Sequence, residues 1–205
     1  MSDLEHGPFE PRIPSVFHGT NRGLMRHVAR PYLNHRTIFD LTFGLGNWWT
    51  DDLHPDQCFT GNYTVRTLAP DRSSDVVVCD PAYVSTGTVA KSTLPGHHSR
   101  YGLDKAPSGV ELVIRDMTRG LAEAERIARQ FVMLKCQQQV EGATFHDVPS
   151  DMKKAAKSMG LVQVDEVIHE RGLTAQPRRN RDGSLRRWVR THRAHSHLLI
   201  FRVAR

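Results

Sequence analysis

The sequence predicts an α/β protein built on a mostly parallel sheet. Short apolar runs alternate along the chain with segments of helical periodicity. The β-branched run Val76-Val77-Val78-Cys79 reads as a buried strand and stops abruptly at Asp80-Pro81. An earlier apolar run ends in a glycine turn, Gly44-Leu45-Gly46. In open α/β sheets the carboxyl ends of strands are where ligands bind.

The elements follow in order. Residues 1–14 hold three prolines and no periodicity, and read as an irregular arm. Over 21–32, Leu24, Met25, Val28 and Ala29 recur at helical spacing. Residues 37–41 form a short apolar strand, and 58–63 a second. A turn at 71–74 opens the strand 75–79. Residues 84–110 are rich in Ser, Thr, Gly and Pro and read as a long loop, usually functional in a compact domain. Leu112, Val113, Met117, Leu121, Ala124 and Ala128 stripe a helix over 110–130. A strand at 131–136 follows. Ser150 is the expected N-cap of a helix over 151–159 that Gly160 stops. Strands at 161–168 and 197–203 flank a basic insert at 171–193. No repeat and no second domain is visible, so 1–205 reads as one domain.

Composition narrows the class. A net charge of +6 and a pI near 9.5 favour a polyanionic partner, with solubility as the simpler reading of so modest a charge. Cys58, Cys79 and Cys136 are odd in number and widely spaced, which argues against a disulfide framework and for a reducing, cytoplasmic setting. The first residues lack the basic and apolar regions of a signal peptide, and no apolar run is long enough to span a membrane.

Two motifs carry chemistry. In Asp80-Pro81-Ala82-Tyr83 the acid accepts hydrogen bonds, the proline fixes a rigid turn, and the tyrosine offers a ring face. The set suits a planar group bearing an amino substituent, such as a nucleobase. A plain strand followed by an Asp-Pro turn is the simpler alternative. The second motif is Asp40-Leu41-Thr42-Phe43-Gly44-Leu45-Gly46. Its glycines allow positive φ and a close approach of backbone to ligand. It is neither the dinucleotide fingerprint, because position 49 is Trp, nor a Walker A loop, because no Gly-Lys-Ser/Thr follows.

Together these motifs resemble the first and fourth motifs of the amino-methyltransferases, the DNA adenine-N6 and cytosine-N4 enzymes that use S-adenosyl-L-methionine. Residues 41–49, 80–87 and 100–103 resemble small bacterial and phage methyltransferases of that group, as do Lys135-Cys136-Gln137 and the basic tail. The resemblance covers roughly residues 37–205. It implies a Rossmann-like class I methyltransferase sheet with an antiparallel C-terminal strand, trimmed near the second strand. Asp80, Pro81 and Tyr83 would be catalytic. Asp40, Thr42, Gly44, Gly46, Asn47 and Asn62 would hold the cofactor, S-adenosyl-L-methionine. The chain departs from the pattern at Ala82, where the family has a second proline, and at Asn62, where the family has an acid that grips the ribose hydroxyls. Trp48 or Trp49 would cover the adenine, with a core role as the simpler reading for either. Lys135 ends a strand on the same edge, where a solvated lysine is the simpler expectation and substrate contact the alternative.

The basic insert holds eight arginines and one acid, Asp182. Asp182-Gly183 signals a hairpin turn. Arg178, Arg179, Arg181, Arg186, Arg187 and Arg190 offer bidentate forks for phosphate, and Trp188 a stacking face. His192, His195, His197 and the pair His97-His98 lack the spacing of a zinc site, so no metal is expected. The resemblance thus implies methyl transfer to an exocyclic amino group of a nucleic-acid base, adenine N6 in DNA first. An RNA base and a non-catalytic nucleic-acid-binding protein on the same fold are the alternatives. The oligomeric state has no signature in the sequence.

Overall fold

The computed structural model describes residues 13–81, 109–141, 144–170 and 195–204. Seven strands form one sheet: β1 (Val16–His18), β2 (Ile38–Asp40), β3 (Gln57–Cys58), β4 (Ser74–Cys79), β5 (Ala128–Cys136), β8 (Leu161–Glu170) and β9 (His195–Val203). Their order is β1-β8-β9-β5-β4-β2-β3. Neighbours pair in parallel except around β9, which runs antiparallel to both β5 and β8. The sheet is therefore Rossmann-like, mostly parallel, with an antiparallel C-terminal strand.

Both faces of the sheet are covered, so its central strands are apolar throughout rather than alternating. On one face Val77, Cys79, Val132 and Leu134 meet the stripes of α2 (Val110–Ile127) and α3 (Val148–Ser158). On the other, Val76, Val78, Met133 and Ile200 meet α1 (Asn21–Val28) together with Trp48 and Trp49.

Several boundaries differ from the expectation, each for a local reason. The first helix turns π-helical over Ala29–Leu33, where Pro31 lacks the N–H that an α-helical ladder needs; Asn34 N–H bonds Ala29 O instead, at 2.8 Å. α2 ends at Ile127, not Gln130. The Arg72 guanidinium donates to Glu125 O and Ala128 O, at 2.6 and 2.7 Å, and so holds its last carbonyls. Asp147, not Ser150, holds the N-cap position of α3, and its carboxylate accepts the Ser150 hydroxyl. The strand expected over 58–63 is only Gln57–Cys58. The edge strand β1 and the hairpin of β6 (Gln139–Glu141) with β7 (Thr144–His146) had no periodic signal.

No helix lies between β2 and β4. Side chains fill the space instead. Tyr63 is fully buried, and Gly120 of α2 makes room for it: a Cβ there would sit 2.7 Å from the ring. Glu123 of α2 accepts from Thr67 N–H at 2.7 Å and pairs with Arg126, which ties the loop to the helix. The three cysteines are free. Among the described residues no helix is long and apolar enough to cross a membrane.

Candidate functional site

β2 and β4 are neighbours, with Asp40 level with Val78. Their carboxyl ends therefore bring the two motifs together. Leu41 N–H donates to Val78 O at 2.9 Å and continues the ladder into the turn. The join beyond it is a side chain. Thr42 Oγ1 accepts the backbone N–H of Asp80 at 2.6 Å and lies 3.5 Å from Asp40 Oδ1. One hydroxyl so links the glycine loop to the acid of the second motif.

Asp40 is buried. Its carboxylate accepts Thr42 N–H at 2.9 Å and the indole N–H of Trp49 at 2.6 Å. Burial pushes its carboxyl up to about 6 from the usual 3.8. The Trp49 and Thr42 hydrogen bonds oppose this rise, and the nearby Asp80 carboxylate adds to it. Asp40 thus braces the loop from behind.

The loop itself needs glycine. Gly44 and Gly46 adopt φ of 55° and 66°, and a Cβ on Gly46 would sit 2.8 Å from the Phe43 ring. Gly46 N–H donates to Phe43 O at 2.8 Å, which closes a tight turn. Asn47 beyond it is exposed. Asn62 stands four residues past the end of β3, not at a strand end. Its side-chain oxygen accepts Thr64 N–H at 2.9 Å and the Thr64 hydroxyl at 2.7 Å. A diol at this place would meet its amide NH2.

Trp48 and Trp49 are both buried. Trp49 holds Asp40, and Trp48 lies under the Lys135 ammonium, 5.0 Å from Nζ to the ring. Lys135 is wholly buried rather than solvated, and donates to Asn21 Oδ1 at 2.7 Å. Neither its burial nor the part of Asn21 was anticipated. The available signal was the parity of β5, which puts Lys135 on the same covered face as Met133.

Pro81 is buried behind Asp80. Ala82, Tyr83 and the insert residues Arg178, Arg179, Arg181, Arg186, Arg187, Trp188 and Arg190 lie outside the described residues. His195 and His197 begin β9 on this same edge, where His197 Nδ1 is 2.7 Å from Glu166 Oε1. Among the described residues no group of His, Cys, Asp or Glu is arranged to hold a metal. A cleft of about 310 Å³ opens beside Trp49, lined also by Arg22, Arg26, Thr50, Asp51 and Asp52. A larger one of about 470 Å³, lined by Arg129, Phe131, Val162 and Arg202 among others, lies at the opposite edge of the sheet. Neither is lined by Asp40 or Asp80. The hydrogen-bonded geometry locates the candidate site.

No family model and no curated protein matches the chain. Solved structures are similar to it at low identity. A proposed methyltransferase from Bacillus halodurans is 12% identical over 88% of this chain and 97% of its own, with a TM-score of 0.49. A SAM-dependent methyltransferase from Methanosarcina mazei is 9% identical over 85% of this chain and 96% of its own, with a TM-score of 0.43. A proposed DNA modification methylase from Thermus thermophilus, complexed with S-adenosyl-L-methionine, is 13% identical over 81% of this chain, with a TM-score of 0.45. This chain spans about half of that protein's length, 55% in that comparison.

Proposed function

We propose that this chain is an S-adenosyl-L-methionine-dependent methyltransferase acting on the exocyclic amino group of a nucleic-acid base, adenine N6 in DNA. The observation that carries the reading is the Thr42 hydroxyl bonded to the Asp80 N–H. It fixes an amine-accepting acid against a glycine loop suited to a cofactor.

The loop fits the cofactor. Two left-handed glycines remove side chains where a ligand would approach, and exposed Asn47 adds a donor and an acceptor beside them. Asp40, Thr42, Gly44, Gly46, Asn47 and Asn62 would hold it. When bound, the sulfonium supplies an electrophilic methyl group.

The chain's own task is to make a poor nucleophile react. An aromatic amine delocalises its lone pair into the ring. The Asp80 carboxylate and the Pro81 carbonyl accept its two hydrogens, bend the nitrogen toward tetrahedral geometry and aim the lone pair. Tyr83 stacks on the base and keeps it in line. Such positioning by preorganised acceptors supplies most of the rate. In duplex DNA the base must first leave the stack. The arginine insert is the proposed backbone-binding element. Eight of the chain's 28 basic residues and one of its 22 acidic residues lie in 171–193, so the remainder carries 20 basic against 21 acidic groups.

One observation favours a second reading, a nucleic-acid-binding protein without catalysis. The Asn62 oxygen is engaged by Thr64, whereas a ribose-gripping acid would leave one free. Incubating DNA and RNA with isotope-labelled S-adenosyl-L-methionine, then analysing nucleosides by mass spectrometry, separates these. A labelled N6-methyladenine from DNA is expected. Label in RNA alone replaces the substrate. No label in any nucleoside, with no cofactor binding by calorimetry, leaves the second reading.

A further inference from the structure

α1 starts at the carboxyl edge of the sheet and runs down one face. β1 pairs with the last residues of β8, and Gly19 N–H donates to Glu170 O at 3.2 Å just before the helix begins. Asn21, its first residue, bonds Lys135 at the carboxyl end of β5. By Arg36 the chain has reached the amino end of the same strand, where that side chain donates to Gln130. The inner side of α1 is wholly committed, since Leu24, Met25 and Val28 are fully buried against the sheet. Its outer side is basic. Arg22 and Arg26, one turn apart, line the cleft beside Trp49, and Arg30 follows a turn later. All three are exposed.

Charge is unevenly spread along the chain. Residues 13–36 hold four arginines and no acid, and outside this stretch and the insert lie 16 basic and 21 acidic residues. The positive excess is therefore confined to two segments, and these share an origin. Glu170, the last described residue before the insert, is level with His18 of β1 and with His195, which opens β9. Both ends of the insert are thus fixed beside the start of α1. The far wall of the cleft is acidic: Asp52 Oδ1 pairs with Arg26 at 2.6 Å, and Asp51 stands next to it. Both partners of that pair are more than half exposed, so it is weak and open to exchange. Among the described residues Arg22 and Arg30 have no ion pair. The other acid at this corner, Glu170, pairs with His18.

We propose that Arg22, Arg26 and Arg30 form a second contact for the phosphate backbone of duplex DNA, meeting the insert at Glu170, and that Asp52 is a built-in competitor that gives up Arg26 when a phosphate arrives. The surface rests on the DNA part of the reading above and not on methyl transfer. Guanidinium forks match phosphate oxygens in geometry and charge. Four residues of helix set Arg22 and Arg26 about 6 Å apart along its axis. They can take successive phosphates of one strand, which rise about 3.4 Å each. The Arg22 end of such a track lies at the sheet edge where β4 delivers Asp80. A lipid surface is the less suitable polyanion. An interfacial helix sinks its apolar face into the bilayer, and that face of α1 is already taken by the sheet.

The test is fluorescence anisotropy of a labelled DNA duplex with the full-length chain, without cofactor, from about 50 to 200 mM salt. Changing Arg22, Arg26 and Arg30 together to Gln should reduce the slope of log affinity against log salt by about 2–3, at about 0.9 per phosphate contact. Changing the same three to Lys should keep most of the slope. Asp52→Asn should tighten binding about two- to fivefold at low salt, and the gain should vanish in the Arg26→Gln background. No binding by the unmodified chain, or an unaltered slope in the Gln variant, overturns the surface. A gain that survives Arg26→Gln overturns the part given to Asp52. A Gln variant that loses affinity for phosphatidylserine vesicles but not for DNA overturns the proposal in favour of a lipid surface. Methyl transfer to DNA with an unaltered slope removes α1 from the contact and leaves the activity. Arginine-dependent binding without methyl transfer overturns the activity and leaves the surface.

Discussion

Replacing Asp40 with Asn should abolish a pH dependence of stability that the buried carboxyl imposes. Asp40 titrates near 6 when folded, against 3.8 ordinarily. Below 3.8 it is neutral in both states and has no effect. As pH rises through 3.8 the unfolded chain ionises while the folded chain does not, so stability falls until about 6 and then levels. Each pH unit between those midpoints is worth about 1.36 kcal/mol, so the full loss is about 3 kcal/mol. The amide cannot ionise. It accepts from Trp49 or from Thr42 but not from both, a pH-independent cost of about 1–3 kcal/mol. The variant should thus start less stable in acid and close the gap near neutrality. Urea unfolding without cofactor, followed at intervals from pH 4 to 7.5, measures this. The stability difference between the two proteins should change by about 2–3 kcal/mol across the range. Trp49→Phe removes a hydrogen bond that favours the ionised form, so its window should extend above pH 6. Parallel curves for Asp40→Asn and the unmodified chain would refute the argument.

Other outcomes test separate parts of the site. Asp80→Ala should eliminate methyl transfer while calorimetry still finds cofactor binding; retained turnover removes Asp80 from the mechanism. Thr42→Val takes the acceptor from the Asp80 N–H, and denaturant unfolding should show a loss of about 1–2 kcal/mol. Gly46→Ala meets both a left-handed backbone and the Phe43 ring, whereas Gly160→Ala, at φ 81° with open space around it, meets only the first. Thermal unfolding should therefore rank Gly46→Ala as the more damaging, its loss exceeding the roughly 1–2 kcal/mol backbone cost that both share; equal losses would mean Phe43 yields freely. Changing Arg178, Arg179, Arg186 and Arg187 to Ser should reduce the slope of log affinity for DNA against log salt by up to about 3–4. An unaltered slope rules the insert out as a backbone contact.

Much of the fold was readable because the local signals agreed with it. The Val76–Cys79 run and the stripe from Val113 to Ala124 each have one good local solution, and the structure adopts it. The misplaced boundaries were settled by distant partners. Arg72 ends α2 from 53 residues away, at Glu125. The short β3 leaves Asn62 in a loop, because Tyr63 turns inward against Gly120. β1 is a three-residue strand that exists through pairing with β8, so no pattern within it could reveal it.

The sequence by itself determined an alternating α/β chain, the glycine turn after β2, the end of β4 before Asp80-Pro81, and the residue types at the candidate site, since these depend on periodicity and on the steric limits of Gly and Pro. Tertiary structure alone decided how the turns join. Thr42 reaches Asp80 across 38 residues, and Trp49 rather than a ligand takes one oxygen of Asp40. It also decided that Lys135 is inside. A strand-end lysine is solvated by default, and only the covering of that face by α1 and Trp48 removes the water. Burial is a property of what packs on a residue, and those partners lie too far along the chain for local sequence to show.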